Sequence, residues 1–179
     1  MSRPLVVSAT RSEAAHVPTG MDLLICGIGK VDAAVAVTEA IVTRRPSLVL
    51  NVGTAGALVP GTEGLFLPSV VLNHDLSADV LRDLGYPAID RIDVPDGDGS
   101  VLATGDTFVS DVVVRDLLAE RAQLVDMEGF AIAAACVRFG VPFRLVKHVS
   151  DPADETALDW PSLVDASARV LGHWLTDHL

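Results

Sequence analysis

Apolar residues in this chain gather into short compact runs, separated by small and polar turn residues, with Ala-rich or mixed stretches between them. Leu5 to Ala9 and Leu23 to Cys26 read as short buried strands, the second ending at Gly27-Ile28-Gly29. Lys30 to Thr43 has helical composition, with Pro46 beyond its end. Leu48 to Val52 is a Leu- and Val-rich run typical of a strand buried on both faces, leading into a tight turn at Gly53-Thr54-Ala55-Gly56. Phe66 to Leu72 reads as one further strand, and residues 85 to 100, rich in Gly, Pro and Asp, as a loop. Val101 to Thr104 is a short strand before Gly105-Asp106, and Ser110 is placed to cap a helix running to about Glu120. Gln123 to Val125 is a brief strand, followed by a helix from Met127 to Phe139 that Gly140 closes. Phe143 to Val149 is a strand ending at Ser150-Asp151. Asp159 is placed to cap a last helix that carries Pro161 in its first turn and runs nearly to Leu179. Strands alternating with helices predict an α/β fold around a largely parallel sheet. No repeat, linker or low-complexity tract divides the chain, so residues 1–179 are expected to form a single domain.

Composition narrows the function class. The formal net charge is −11, which argues against nucleic acid or an anionic membrane as partner, since both demand a basic surface. No apolar run approaches the ~20 residues that span a bilayer, and the N-terminal stretch is too short for a signal peptide, so the cytoplasm is expected. Cys26 and Cys136 lie in apolar runs without metal-type spacing and read as small buried hydrophobes. His74-Asp75 offers too few ligands for a metal.

The polar residues fall just beyond the strands. Glu13, Glu128 and Asp151 each follow a predicted strand, and in open α/β sheets ligands bind past the carboxyl ends of strands. Singly, each has a bland reading: Glu128 can oppose a helix dipole, Asp151 can cap a turn before Pro152, and Glu13 can be a solvated loop residue. Gly27-x-Gly29 is not a dinucleotide fingerprint, because the third glycine is missing.

Five segments in order are more specific: CGIGKVDAA at 26–34, LNVGTAGAL at 50–58, LATGDTFV at 102–109, VDMEGFAIA at 125–133 and VSDPAD at 149–154. Together they resemble the purine nucleoside phosphorylase and nucleosidase superfamily, with the 5′-methylthioadenosine/S-adenosylhomocysteine nucleosidases as the nearest likeness. The resemblance implies a three-layer α/β/α sandwich with a mixed, partly barrel-like sheet, assembled as a homodimer, acting on a purine nucleoside with no cofactor or metal. By the same resemblance, Asp151 corresponds to the acid that protonates the base, oriented by Ser150. Glu128, with Met127 and Asp126 beside it, holds the ribose, and Glu13 positions the attacking water. Phe108 stacks on the base, and Thr54, Ala55 and Gly56 line the pocket. Trp160 stands where an aromatic closes the 5′ side, although a buttress for the last helix is an equal reading. The residue types suit the chemistry, because N-glycosidic cleavage builds positive charge on the sugar and needs a proton on the departing base. On that logic Asp151 works best with its pKa raised by burial, while Glu128 stays ionised.

The chain departs from the pattern in three places. Only nine residues separate Glu13 from Leu23, where nucleosidases carry a strand hairpin, so Arg11 or His16 could substitute for Glu13. Asn51 stands where phosphorylases begin the Gly-rich turn with arginine, and Arg11 is the one early candidate where several are needed; this favours water over phosphate as nucleophile. Asp126 replaces a longer Glu. A phosphate-dependent phosphorylase and a non-catalytic nucleoside-binding protein of the same fold remain the alternatives.

Overall fold

Strand β3 (Val49–Ala57) is the centre of the molecule, and every layer is built on it. In this computed structural model, which describes residues 3–179, its first half lies between two parallel neighbours. On one side is β1 (Leu5–Ser8), which in turn pairs in parallel with β2 (Asp22–Ile25). On the other is β9 (Phe143–Asp151), in register from Val49↔Phe143 to Gly56↔Asp151 with an irregularity after Ala55. The tail of β3 swings over to pair antiparallel with β8 (Leu124–Asp126). From there the sheet continues through β7 (Val101–Thr104), β5 (Val70–Asn73) and the antiparallel edge strand β6 (Arg91–Asp93). Strand β4 (Leu65–Phe66) adds antiparallel to β9, giving nine strands in one mixed sheet that does not close.

Helices cover both faces. Helix α1 (Lys30–Arg44) buries Ala33, Val37, Ala40 and Ile41, an i, i+4, i+7, i+8 stripe. It packs on α4 (Gly129–Phe139), which is buried nearly all round between α1 and the sheet. Helix α5 (Trp160–His178) covers the opposite face through Leu171 and Leu175 against Val6, Leu50, Val52 and Val146. Neighbouring β3 residues divide between the two clusters, Val49 with α1 and α4 and Leu50 with α5, as the alternation of a strand requires. The short helix α3 (Val112–Ala119) packs against Ala103, Val109 and Val125 through Leu118 and Ala119. This is the expected three-layer arrangement around a mixed sheet.

The structure corrects several local expectations. Gly53 to Gly56 is not a turn: β3 runs straight through it. The small residues serve close approach, since a Cβ on Gly56 would meet Ala153 at 3.0 Å and Val125 at 3.1 Å. The strand expected over 66–72 is two strands, broken around Pro68, which has no N–H for a ladder. Strand β6 lies within the stretch 85–100 read as a loop, and a short helix, α2 (Ala78–Asp83), precedes it. Asp111, not Ser110, caps α3, accepting from the N–H groups of Val113 and Val114 at 2.8 and 3.1 Å. Asp159 makes no side-chain cap; Asp154 caps the 3-10 turn Glu155–Asp159 instead, accepting from Thr156 N–H at 2.9 Å. Cys26 and Cys136 are buried free thiols, each pushed up to about 12 by burial, so both stay protonated. No helix among the described residues is long and apolar enough to cross a membrane.

Candidate active site

The strand ends converge. The carboxyl ends of β1, β3, β8 and β9 and the loop after β7 open into one cleft. Glu13, Thr54, Ala55, Gly56, Phe108, Asp126, Met127, Glu128, Ser150, Asp151 and Trp160 all line it, so every candidate read from the sequence faces one space. Its remaining walls, including Ile28, Val109 and Val125, are largely apolar.

Glu13 sits on the turn after β1 and is only 6% exposed. Its Oε2 accepts from the Thr10 N–H at 3.1 Å and the Thr10 hydroxyl at 3.0 Å. Its Oε1 accepts from the Thr54 N–H and hydroxyl, both at 2.9 Å. The Thr54 hydroxyl oxygen also accepts from the Trp160 indole N–H at 2.9 Å, which fixes the direction of its proton. All four lone-pair positions of this carboxylate are thus occupied. A Cβ on Gly53 would stand 3.0 Å from Glu13 Oε1, so glycine is needed there for the carboxylate to reach β3. The substitutes considered for Glu13 lie elsewhere: Arg11 is exposed outside the cleft, and His16 pairs with Asp165 of α5 at 2.8 Å.

Glu128 is the opposite case. It is equally buried, but among the described residues its carboxylate takes one hydrogen bond, from the Gly29 N–H at 2.8 Å, and otherwise faces the cleft. Burial first, and the neighbouring Asp126 second, push its pKa up to about 7, against the opposing pull of Lys147 and the Gly29 N–H. Burial thus opposes the ionised form that the resemblance implies for Glu128.

Asp151 ends β9, 8% exposed. Its Oδ2 accepts from the Ser150 hydroxyl at 2.6 Å and its Oδ1 from the Ala153 N–H at 3.0 Å. Both the turn-capping and the cleft-facing readings of Asp151 are therefore realised together.

One residue escaped the sequence reading. Lys147 in β9 is 1% exposed, and its Nζ pairs with Asp126 at 2.8 Å. Burial alone would pull the ammonium down, but Asp126 and Glu128 outweigh it and hold the pKa above its usual range. Asp126 also accepts from Gly129 N–H at 2.9 Å and from the Thr104 hydroxyl at 2.5 Å. Its carboxylate is spent on holding β7, β8, α4 and β9 together. A lysine in the middle of an apolar strand was the available signal, since an unpaired buried cation is not tolerated.

Asn51 lies inside β3, donating to the Val7 carbonyl at 3.3 Å, and does not line the cleft; its identity says nothing about phosphate. The stronger observation is that no arginine or lysine appears among the lining residues while four carboxylates do.

A model of the phosphorylase superfamily matches residues 98–171. The 5′-methylthioadenosine/S-adenosylhomocysteine nucleosidase of Geobacillus kaustophilus is 30% identical over 174 residues, covering 82% of this chain and 74% of the relative. The chain belongs to the 5′-methylthioadenosine/S-adenosylhomocysteine nucleosidase family. As a nucleosidase it is an N-ribosyl hydrolase. The nucleosidase of Halalkalibacterium halodurans is 32% identical over 160 residues, covering 75% of this chain and 69% of its own. Among solved structures, the Helicobacter pylori nucleosidase with butyl-thio-DADMe-Immucillin-A superposes with a TM-score of 0.87 at 23% identity, covering 99% of this chain and 97% of that one. The futalosine hydrolase of Helicobacter pylori superposes equally well, TM-score 0.87 at 22% identity over all of both chains. At these identities the likeness to solved structures speaks for the fold.

Proposed function

We propose that this enzyme hydrolyses the N-glycosidic bond of an adenine-type purine nucleoside such as 5′-methylthioadenosine or S-adenosylhomocysteine. The observation that carries the reading is the meeting of Glu13, Glu128 and Asp151 in one apolar-walled cleft of a nucleosidase-family chain. Asp151 acts as the general acid, giving a proton to N7 of the purine while the bond between C1′ and N9 breaks. The base then leaves neutral rather than as an anion. General-acid help of this kind is worth a factor of ~10² to 10⁴. Ser150, bonded to the other side of the same carboxyl group, fixes its orientation.

Positive charge grows on the ribose as the bond lengthens, and the cleft meets it with carboxylates alone. Glu128 has free lone pairs toward the cleft, and hydroxyls donating to it restore the ionised form that burial disfavours. Glu13 takes the proton of the attacking water. Because its lone pairs are filled, one threonine hydroxyl turns aside to admit the water, while the two backbone N–H donors stay. Phe108 stacks on the base, Met127 and Trp160 wall the sugar and its 5′ substituent, and Thr54 to Gly56 form the floor. Water is the nucleophile, since phosphate finds four carboxylates and no facing cation in this cleft.

We further propose a cytoplasmic homodimer. The unbridged thiols suit a reducing compartment. Val31 and Val35 on α1, and Val113 and Leu117 on α3, form i, i+4 apolar pairs open to solvent, the usual mark of a covered surface. The test of the activity is a purine nucleoside panel incubated with and without phosphate, with free base followed by chromatography. Adenine release without phosphate, lost at least 100-fold in Asp151→Asn, is the expected result. Release that requires phosphate, or binding without release, overturns it.

A further inference from the structure

The loops around Glu128 are joined by a second charged cluster, outside the cleft, that the reaction does not use. Lys30, the first residue of α1, directs its ammonium to Asp75, to the Asn73 amide oxygen at 2.9 Å and to Asp106 at 3.7 Å. The Lys30 backbone N–H donates to Asp106 Oδ1 at 2.8 Å, and the Asp106 N–H donates to Asp75 Oδ2 at 2.8 Å. Three loops are tied in this way: the Gly27–Gly29 turn after β2, the loop after β5 and the loop after β7. The Lys30 side chain is only 19% exposed and that of Asp75 29%, so water screens the cluster incompletely.

The tie ends at the carboxylate of Glu128. Gly29, the residue before Lys30, supplies the one hydrogen bond that the described residues give to Glu128. Gly29 holds φ 95°, a conformation that any other residue adopts under strain, and a Cβ there would stand 3.2 Å from Asp106 Oδ1. A glycine is conformationally permissive, so the pinned backbone N–H of Lys30 beside it restricts where the Gly29 N–H can point. Asp106 also begins the segment whose Thr107 and Phe108 line the cleft.

We propose that Lys30, Asp75 and Asp106 are positioning residues, a clamp across three loops that holds the Gly29 N–H on Glu128 and the Phe108 wall in place. The clamp deepens the nucleosidase reading and rests on it for its catalytic consequence, but its structural effect can be read without turnover.

The test is the titration of Glu128 by ¹³C NMR in protein labelled at glutamate carboxyls, assigned with Glu128→Gln. The charged or titratable groups facing Glu128 are Asp126 from β8, Lys147 from β9, Glu13 from the loop after β1 and Cys26 beyond β2. None of them changes in Lys30→Met or Asp106→Ala. These two substitutions remove opposite charges, so a purely electrostatic influence moves Glu128 in opposite directions. The clamp predicts the same direction for both: loss of the Gly29 hydrogen bond raises the Glu128 pKa by roughly one unit in each variant. Lys30→Arg, which keeps the charge, leaves it near the wild-type value. In the activity assay both disruptive variants lose roughly tenfold in kcat/KM, and the acid limb of the pH profile moves up with the NMR value. Glu128 unmoved, or moved oppositely by the two substitutions, overturns the clamp. A wild-type enzyme that releases no base while both variants raise Glu128 overturns the nucleosidase reading and leaves the clamp standing. Asp106, whose side chain is half exposed, keeps the test available should Lys30→Met fail to fold.

Discussion

Glu13 and Glu128 are equally buried carboxylates in one cleft, yet their environments differ in kind. Glu13 accepts four hydrogen bonds and Glu128 one. The open carboxylate is the one that burial and Asp126 raise from an ordinary 4.5 to about 7. A carboxyl whose value rises on folding binds its proton more tightly when folded, so it costs stability once ionised. The cost is absent below about pH 4.5, grows as pH rises and is complete above about pH 7. Glu128→Gln is therefore expected to abolish most activity while stabilising the ligand-free protein above pH 7, by on the order of 3 kcal/mol at most. Melting curves at pH 5 and pH 8 check this, since most of the gain must be lost at the lower pH. Lys147 carries the reverse risk. Replacing it by methionine strands Asp126 as an unpaired buried charge, at a cost of about 3–5 kcal/mol. Denaturant titration of Lys147→Met alone and combined with Asp126→Asn tests the pairing, with the double variant expected to recover part of the loss. The candidate residues were legible because their types follow from the chemistry and their order from the resemblance. Lys147 and the Gly29 N–H were not, because pairing across 21 residues of sequence, or 99, leaves no local pattern.

At the level of elements, the strands and helices with strong periodicity stood where the sequence placed them, and the errors share a physical cause. Local signals describe a segment alone, whereas the ends of β3 and β9 are set by what they touch. Gly53-Thr54-Ala55-Gly56 has turn composition, but pairing with β9 and then β8 keeps it extended. Strand β6 and helix α2 are weak on their own and are fixed by neighbours, β6 by pairing with β5 and α2 by burying Ala78. The small residues of β3 bear a prediction of their own. Gly56→Val inserts atoms where even a Cβ would stand 3.2 Å from Asp151 Oδ1 and closer still to Ala153 and Val125. Overpacking of this kind costs about 1–3 kcal/mol. Activity should fall further than stability alone explains, as read by kcat at a temperature where circular dichroism shows the variant fully folded.

For the whole molecule, the layers were foreseeable from alternating strands and helices, whereas strand order was not, since it is invisible to periodicity; the proposed homodimer came from the resemblance, and exposed apolar residues are what would mark its interface. Val31 and Val35 are 72% and 64% exposed on one face of α1. A Val31→Lys/Val35→Lys double substitution should convert a dimer to a monomer in light scattering without lowering helix content; an unchanged mass places the interface elsewhere. The position of β3 between its neighbours has a consequence for how the enzyme comes into being. Its parallel partner β9 joins it from 94 residues downstream, Val49 to Phe143. Chain closure over that span is entropically slow, and such long-range pairing delays folding. A nascent chain therefore carries its central strand with a bare edge until Phe143–Asp151 has been made. Asp151 arrives at the very end of that strand, so the cleft gains its proposed proton donor only when β9 is in place. A chain that lacks β9 exposes the β3 edge, the kind of unpaired strand edge that invites aggregation.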